Sequence, residues 1–155
     1  MKRQLFALCL AVTGFSLPVH ATPEVHRLIE TIEATGTAIV KNDPRFCSDK
    51  NILGFYSYRK DVIDQLTLCV ANHKGDSVEL YDTFLHEAVH VAQTCNGGPL
   101  FTAHSIANSA TLSEMKAVHG MYSQHQHHKE LEARVIAREQ DANYVATLIK
   151  EHCKV

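Results

Sequence analysis

The sequence predicts a mainly helical α+β domain with one small antiparallel sheet. Apolar residues recur at helical spacing in four stretches, and two short runs of aromatic and branched residues lie between the first and second of these. Length and composition agree: 155 residues, 45% hydrophobic and 21% charged, make one domain with an ordinary apolar share. Disordered, collagen-like and low-complexity classes are thereby excluded.

Residues 1–21 read as a secretory signal. Lys2 and Arg3 form a positive start, Leu5 to Leu17 an apolar core, and Val19-His20-Ala21 a small-x-small cleavage site before Thr22. The mature chain, residues 22–155, is expected to be a single exported domain, periplasmic or extracellular. Beyond the signal no apolar run reaches the roughly 18 residues that a membrane span needs. With 15 Lys and Arg against 17 Asp and Glu, and no basic block, no nucleic-acid surface is expected. Loss of the signal removes two basic residues and leaves 13 against 17, a charge of −4.

The elements follow in order. Val25, Leu28, Ile29 and Ile32 mark one face of a helix from Pro23 to about Thr35, with proline tolerated in its first turn. Asn42-Asp43-Pro44 is a turn. Gly54 to Tyr58 and Gln65 to Val70 suit two antiparallel strands. Asp76 and Glu79 have capping-box spacing and open a helix that runs to about Cys95, where Asn96-Gly97-Gly98-Pro99 stops it. A looser stretch covers Leu100 to Ala110. Thr111 and Glu114 repeat the capping spacing before a shorter helix bearing Met115, Val118 and Tyr122. After a polar run, Ser123 to Lys129, the last helix is expected from about Glu130 to His152, with Leu131, Val135, Ala142, Val145 and Ile149 along one stripe.

Cys9 is lost with the signal, leaving Cys47, Cys69, Cys95 and Cys153. In an oxidising compartment four cysteines imply two disulfides, with three connectivities open. Cys47 and Cys69 flank the expected hairpin, whereas Cys95 and Cys153 each close a helix, so Cys47–Cys69 and Cys95–Cys153 are preferred. No C-x-x-C occurs, which disfavours a four-cysteine zinc site.

Eleven histidines are many for this length, and two of them form the pattern that carries chemistry, His86-Glu87-Ala88-Val89-His90. Imidazoles at i and i+4 lie one turn apart on the same helix face, close enough to hold one tetrahedral metal ion. Glu87, beside the first, can take a proton from a water bound to that metal. Val78, Tyr81, Leu85, Ala88 and Ala92 should form the core stripe on the opposite face. Apart from Glu87, charge is absent from Thr83 to Gln93.

Downstream stands Glu130-Leu131-Glu132-Ala133. With this second motif the chain resembles the gluzincin group of zinc metallopeptidases, small single-domain members in particular. Their pattern is a His-Glu-x-x-His helix followed, some tens of residues later, by a helix beginning Glu-x-x-Ala. The resemblance spans Asp76 to Ala137. It implies a zincin-like fold, a catalytic Zn²⁺ held by His86, His90 and Glu130, and peptide-bond hydrolysis with Glu87 as general base. Many relatives have Asp or Asn after that Ala; Arg134 stands here. On a helical wheel at about 100° per residue, Glu130 and Glu132 flank the apolar stripe equally, so periodicity leaves both open as ligands. Glu139 is a further option two turns on.

Tyr122 and His119 are candidates for stabilising a tetrahedral intermediate, and His104 for lining the cleft. His125, His127 and His128 keep no regular ligand spacing and read as a solvated loop, with a secondary metal site as the alternative. His152 suits the negative end of a helix dipole. Asn96 to Ala110 is the expected cleft wall. The function expected is a secreted or periplasmic zinc metallopeptidase acting on peptide or protein substrates. A secreted metal-binding or interaction protein that hydrolyses nothing is the alternative, and a disulfide-stapled helical protein without metal is the third.

Overall fold

The computed structural model describes residues 22–155; the expected signal lies outside the described residues. α1 (Pro23–Ala34) begins where the Thr22 hydroxyl accepts from the Val25 amide, and its face of Val25, Leu28, Ile29 and Ile32 is buried. β1 (Ala38–Lys41) leads through Asn42 and Asp43 into a short α2 (Pro44–Cys47). β2 (Gly54–Arg59) and β3 (Ile63–Leu68) form a hairpin.

Strand order is β1-β3-β2, with β1 parallel to β3 and β2 antiparallel to it. The sheet is therefore mixed and three-stranded rather than an antiparallel pair. β1 has only four residues, too few for alternation to show, and its pairing with β3 reaches past the whole of β2. β3 also stops at Leu68, before the expected Val70. The Cys69 amide turns to the Leu53 carbonyl at 2.8 Å, and Val70–His73 coil into a 3₁₀ turn.

The second half is helical: α3 (Ser77–Asn96), α4 (Ala103–Ser109), α5 (Leu112–Met121), α6 (His127–Glu139) and α7 (Ala142–Cys153). α4 occupies the stretch read as loose. Thr111 and Glu114 make a full capping box for α5. At α3, Asp76 Oδ1 accepts from the Val78 and Glu79 amides at 3.0 and 2.9 Å, but no box closes, because the Glu79 carboxylate turns to the buried His73 at 3.2 Å.

The single long helix expected from Glu130 to His152 is two helices. An apolar stripe running through both hides the break. Gln140 is extended, Asp141 caps α7 by accepting from the Tyr144 amide at 2.9 Å, and the Tyr81 hydroxyl accepts from the Ala142 amide at 3.2 Å. α6 also starts before Glu130, taking His127 to Lys129 out of the polar run.

One core joins α1, β3, α3, α6 and α7. Past its first turn α3 is covered by the sheet, α6 and α7. Its buried residues are accordingly too many for one stripe: Leu80, Phe84, Leu85, Ala88, Val89, Val91 and Ala92. Val78, expected in the core, sits in that first turn and is 68% exposed. Cys47–Cys69 ties α2 to the end of β3, and Cys95–Cys153 ties the last turns of α3 and α7. Two disulfides fit an exported protein. No helix among the described residues is long and apolar enough to cross a membrane.

Candidate metal centre and active site

α3 carries His86 and Glu87 into the floor of a cleft of about 850 Å³, with His90 one turn on from His86. One wall comes from Leu53 and from Gly54, Phe55 and Ser57 of the edge strand β2. The other comes from Met121 at the end of α5 and Tyr122 just after it, and from Arg134 and Arg138 of α6. Cleft and helix meet because Gly54 has no side chain. A Cβ there would lie 2.7 Å from Thr83 Cγ2 and 3.3 Å from Glu87 Cγ.

α6 packs against α3 and brings Glu130 over the two imidazoles. His86 Nε2 and His90 Nε2 are 3.2 Å apart, and they stand 3.4 and 3.6 Å from the two Glu130 oxygens. A tetrahedral zinc with bonds of 2.0–2.1 Å has ligand–ligand edges of about 3.3 Å. The three side chains thus fit one face of such an ion and leave the fourth position open. Glu130 Oε2 is buried without a hydrogen-bond partner, as an oxygen reserved for a cation would be. Among the described residues these three are the group of His, Cys, Asp or Glu that could hold a metal.

The tautomer of His90 follows from its neighbours. Gln93 Nε2 donates to the Lys129 carbonyl at 3.0 Å and to Glu132 Oε2 at 2.7 Å, so Gln93 Oε1 must be the atom facing His90 Nδ1 at 2.7 Å. His90 therefore carries its proton on Nδ1 and turns a free lone pair at Nε2 toward the site.

Electrostatics separate the two carboxylates. Burial pushes the Glu87 carboxyl up, against the opposing pull of His86 and His90. Burial acts upward on Glu130 too, but the imidazoles of His86 and His90 beside it overcome this and hold Glu130 far below the usual carboxylate range. For His90, burial works downward and is outweighed by Glu130 and the charge of Glu87, so its pKa rises.

Of the two glutamates left open, Glu130 stands at the imidazoles and Glu132 does not. Glu132 is fully buried on another side of α6, where it accepts from Gln93 and from the Leu100 and Phe101 amides. Glu139 is exposed and pairs with Arg138 at 3.2 Å. Asn96 to Ala110 does not line the cleft; its Leu100 and Phe101 amides serve Glu132 instead, and Arg134 and β2 supply the wall. Tyr122 lines the cleft beside Arg134, and burial raises its phenol. His119 is exposed and stacks on His127 at 4.3 Å, outside the cleft lining. His127 Nε2 in turn donates to the Tyr122 carbonyl at 2.9 Å. His104 is exposed beside Asn108, His125 beside Ser123, and His152 Nδ1 donates to Asn96 Oδ1.

Sequence reasoning missed Gln93 and Arg134. Both had a signal: Gln93 follows His90 by three residues and Arg134 follows Glu130 by four, the spacings that share a helix face. No curated protein and no solved structure matches the chain. A family model described as Domain of unknown function (DUF8637) matches residues 17–154, and the chain belongs to that family.

Proposed function

We propose that the chain is an exported zinc-dependent metallopeptidase on a zincin-like scaffold. One observation carries this reading. Three ligand atoms spaced for one face of a tetrahedral ion, one of them on His86 in the cleft lining, lie beside a buried carboxylate, Glu87. His86, His90 and Glu130 would hold the ion. When bound, zinc supplies Lewis acidity that polarises a carbonyl and acidifies water. Glu87 takes the proton of the attacking water at its carboxylate and passes it to the leaving amine as the carbon–nitrogen bond breaks. Tyr122, which lines the cleft, would donate from its hydroxyl to the oxygen that gains charge. Among the described residues β2 is an edge strand, and an extended peptide would lie along it.

The test is a set of substitutions read by zinc content and rate. Purified without a histidine tag, the protein should hold one zinc per chain, and His86→Ala should lose it. Glu87→Gln should keep zinc and fold while hydrolysis of casein falls at least about a hundredfold. If the zinc-loaded wild type cleaves no unstructured polypeptide, the chain is a secreted metal-binding protein instead.

A further inference from the structure

The cleft wall formed by α6 presents two guanidinium groups, and they differ in what they touch. Arg138 is engaged: its Nε and Nη2 donate to Glu114 and the Ser109 carbonyl at 2.8 and 2.9 Å, and Glu139 lies 3.2 Å from its Nη1. Arg134 forms no ion pair with any carboxylate among the described residues. Tyr122 lines the cleft with it, and its Nε is buried without a hydrogen-bond partner. A buried donor on a permanent cation is costly to leave unmade, and a planar guanidinium is matched best by a carboxylate.

Position and charge say which carboxylate. Arg134 is one helical turn past Glu130 on the cleft-facing side of α6, so its reach covers the ground next to the candidate metal centre. Of the other cleft acids, Glu114 is paired with Arg138 and Glu79 with His73. Asp82 is exposed and does not come within ion-pair distance of Arg134. With a divalent ion present, Glu87 and Glu130 would balance its charge, and Arg134 would leave the centre cationic. An anion is the ligand that such a centre lacks.

We propose that Arg134 reads a carboxylate on the substrate, so that the site takes peptides bearing a free C-terminus or an acidic side chain next to the bond that is cut. This rests on the peptidase reading above. Arg134 is a specificity residue: it touches substrate and takes no proton.

The experiment uses three synthetic peptides of one sequence, ending as the free acid, as the amide, or as the amide with Glu at the last position. Binding to the zinc-loaded Glu87→Gln protein is measured by calorimetry, and hydrolysis by the zinc-loaded wild type is followed by mass spectrometry. At least one acidic peptide should bind about tenfold or more tightly than the neutral one. The free acid being favoured identifies a C-terminal carboxylate, and the Glu peptide an acidic side chain. Adding Arg134→Gln should abolish the preference with zinc content unchanged, and Arg134→Lys should restore part of it. Equal binding of all three peptides overturns the proposal, even if the wild type cleaves them and so upholds the peptidase reading. Arg134-dependent binding of an acidic peptide that the wild type never cleaves removes the peptidase reading and leaves Arg134 as the reader of a carboxylate on a bound ligand.

Discussion

Gln93 donates to Glu132 at 2.7 Å across the contact between α3 and α6, and neither side chain is exposed. Through its other end Gln93 accepts from His90 Nδ1, so a buried carboxylate is connected to a candidate metal ligand by one amide. Glu132 also accepts from the Leu100 and Phe101 amides, both at under 3.1 Å, and so binds the loop after α3 to the same assembly.

This arrangement makes Glu132 sensitive, opposite to what a solvent-facing glutamate would be. Glu132→Gln puts an amide donor where three donors already point, and should lower stability by about 1–3 kcal/mol in urea unfolding. Gln93→Leu leaves the fold but frees the His90 ring. Its zinc affinity, measured against a fluorescent chelator, should fall about 10–100-fold. Unchanged affinity would show that the tautomer of His90 does not depend on Gln93.

Gly54 is the second sensitive position, for a reason of space. It begins β2 opposite Leu68, and a Cβ would meet Thr83 Cγ2 at 2.7 Å and the Thr67 carbonyl at 3.1 Å. Thr83 is β-branched and stiff, and the carbonyl belongs to the sheet ladder, so neither yields easily. Gly54→Ala should cost about 1–3 kcal/mol and displace β2 from Glu87, slowing hydrolysis. Adding Thr83→Ser removes the clashing methyl and should recover much of the stability. A pair of variants that do not couple in urea unfolding would contradict this packing.

What could be read from the sequence divides by range of interaction. His86, Glu87 and His90 lie within one turn and a half of a single helix, so spacing alone puts them together. Choosing Glu130 over Glu132 needs the rotation of α6 on α3, which Gln93 and the loop at Leu100 help set. β1 is visible only through its pairing with β3, and the break at Gln140 only through the Asp141 cap and the Tyr81 hydroxyl. The cleft wall is hidden from the sequence for the same reason: Asn96 to Ala110 is adjacent to the motif helix in sequence, while Arg134 is adjacent in space.

Acid should loosen the segment between β1 and β2. Asp43 is buried at the start of α2, with Arg45 Nη2 at 2.6 Å and the Arg45 amide at 3.0 Å. The Arg45 side chain, and next its backbone amide, hold the Asp43 carboxyl down to about 2. A carboxylate depressed on folding stabilises the native state fully above its unfolded value of about 4, and that contribution is lost as pH falls through about 2. Urea midpoints should therefore drop between pH 4 and pH 2, and Asp43→Asn should flatten this part of the profile. The same slope in both proteins would assign the acid sensitivity elsewhere.

Zinc should offset the loss of the distal disulfide. Cys95–Cys153 spans 58 residues and encloses α4, α5 and the Glu130-bearing α6. Loop-closure entropy puts its stabilisation at about 4 kcal/mol. Replacing both cysteines with alanine should lower stability by roughly that amount, and alanine avoids free thiols that would bind zinc in the unfolded chain. A ligand that binds only the folded state adds about 4 kcal/mol at roughly a thousand times its Kd. Zinc at that excess should thus return the double variant close to the metal-free wild type in urea unfolding. The same addition should do little for a triple variant that also carries Glu130→Gln, because a neutral amide is a poorer zinc donor than a carboxylate. Equal rescue of the double and triple variants would mean that zinc stabilises the fold without Glu130, and that the third ligand lies elsewhere.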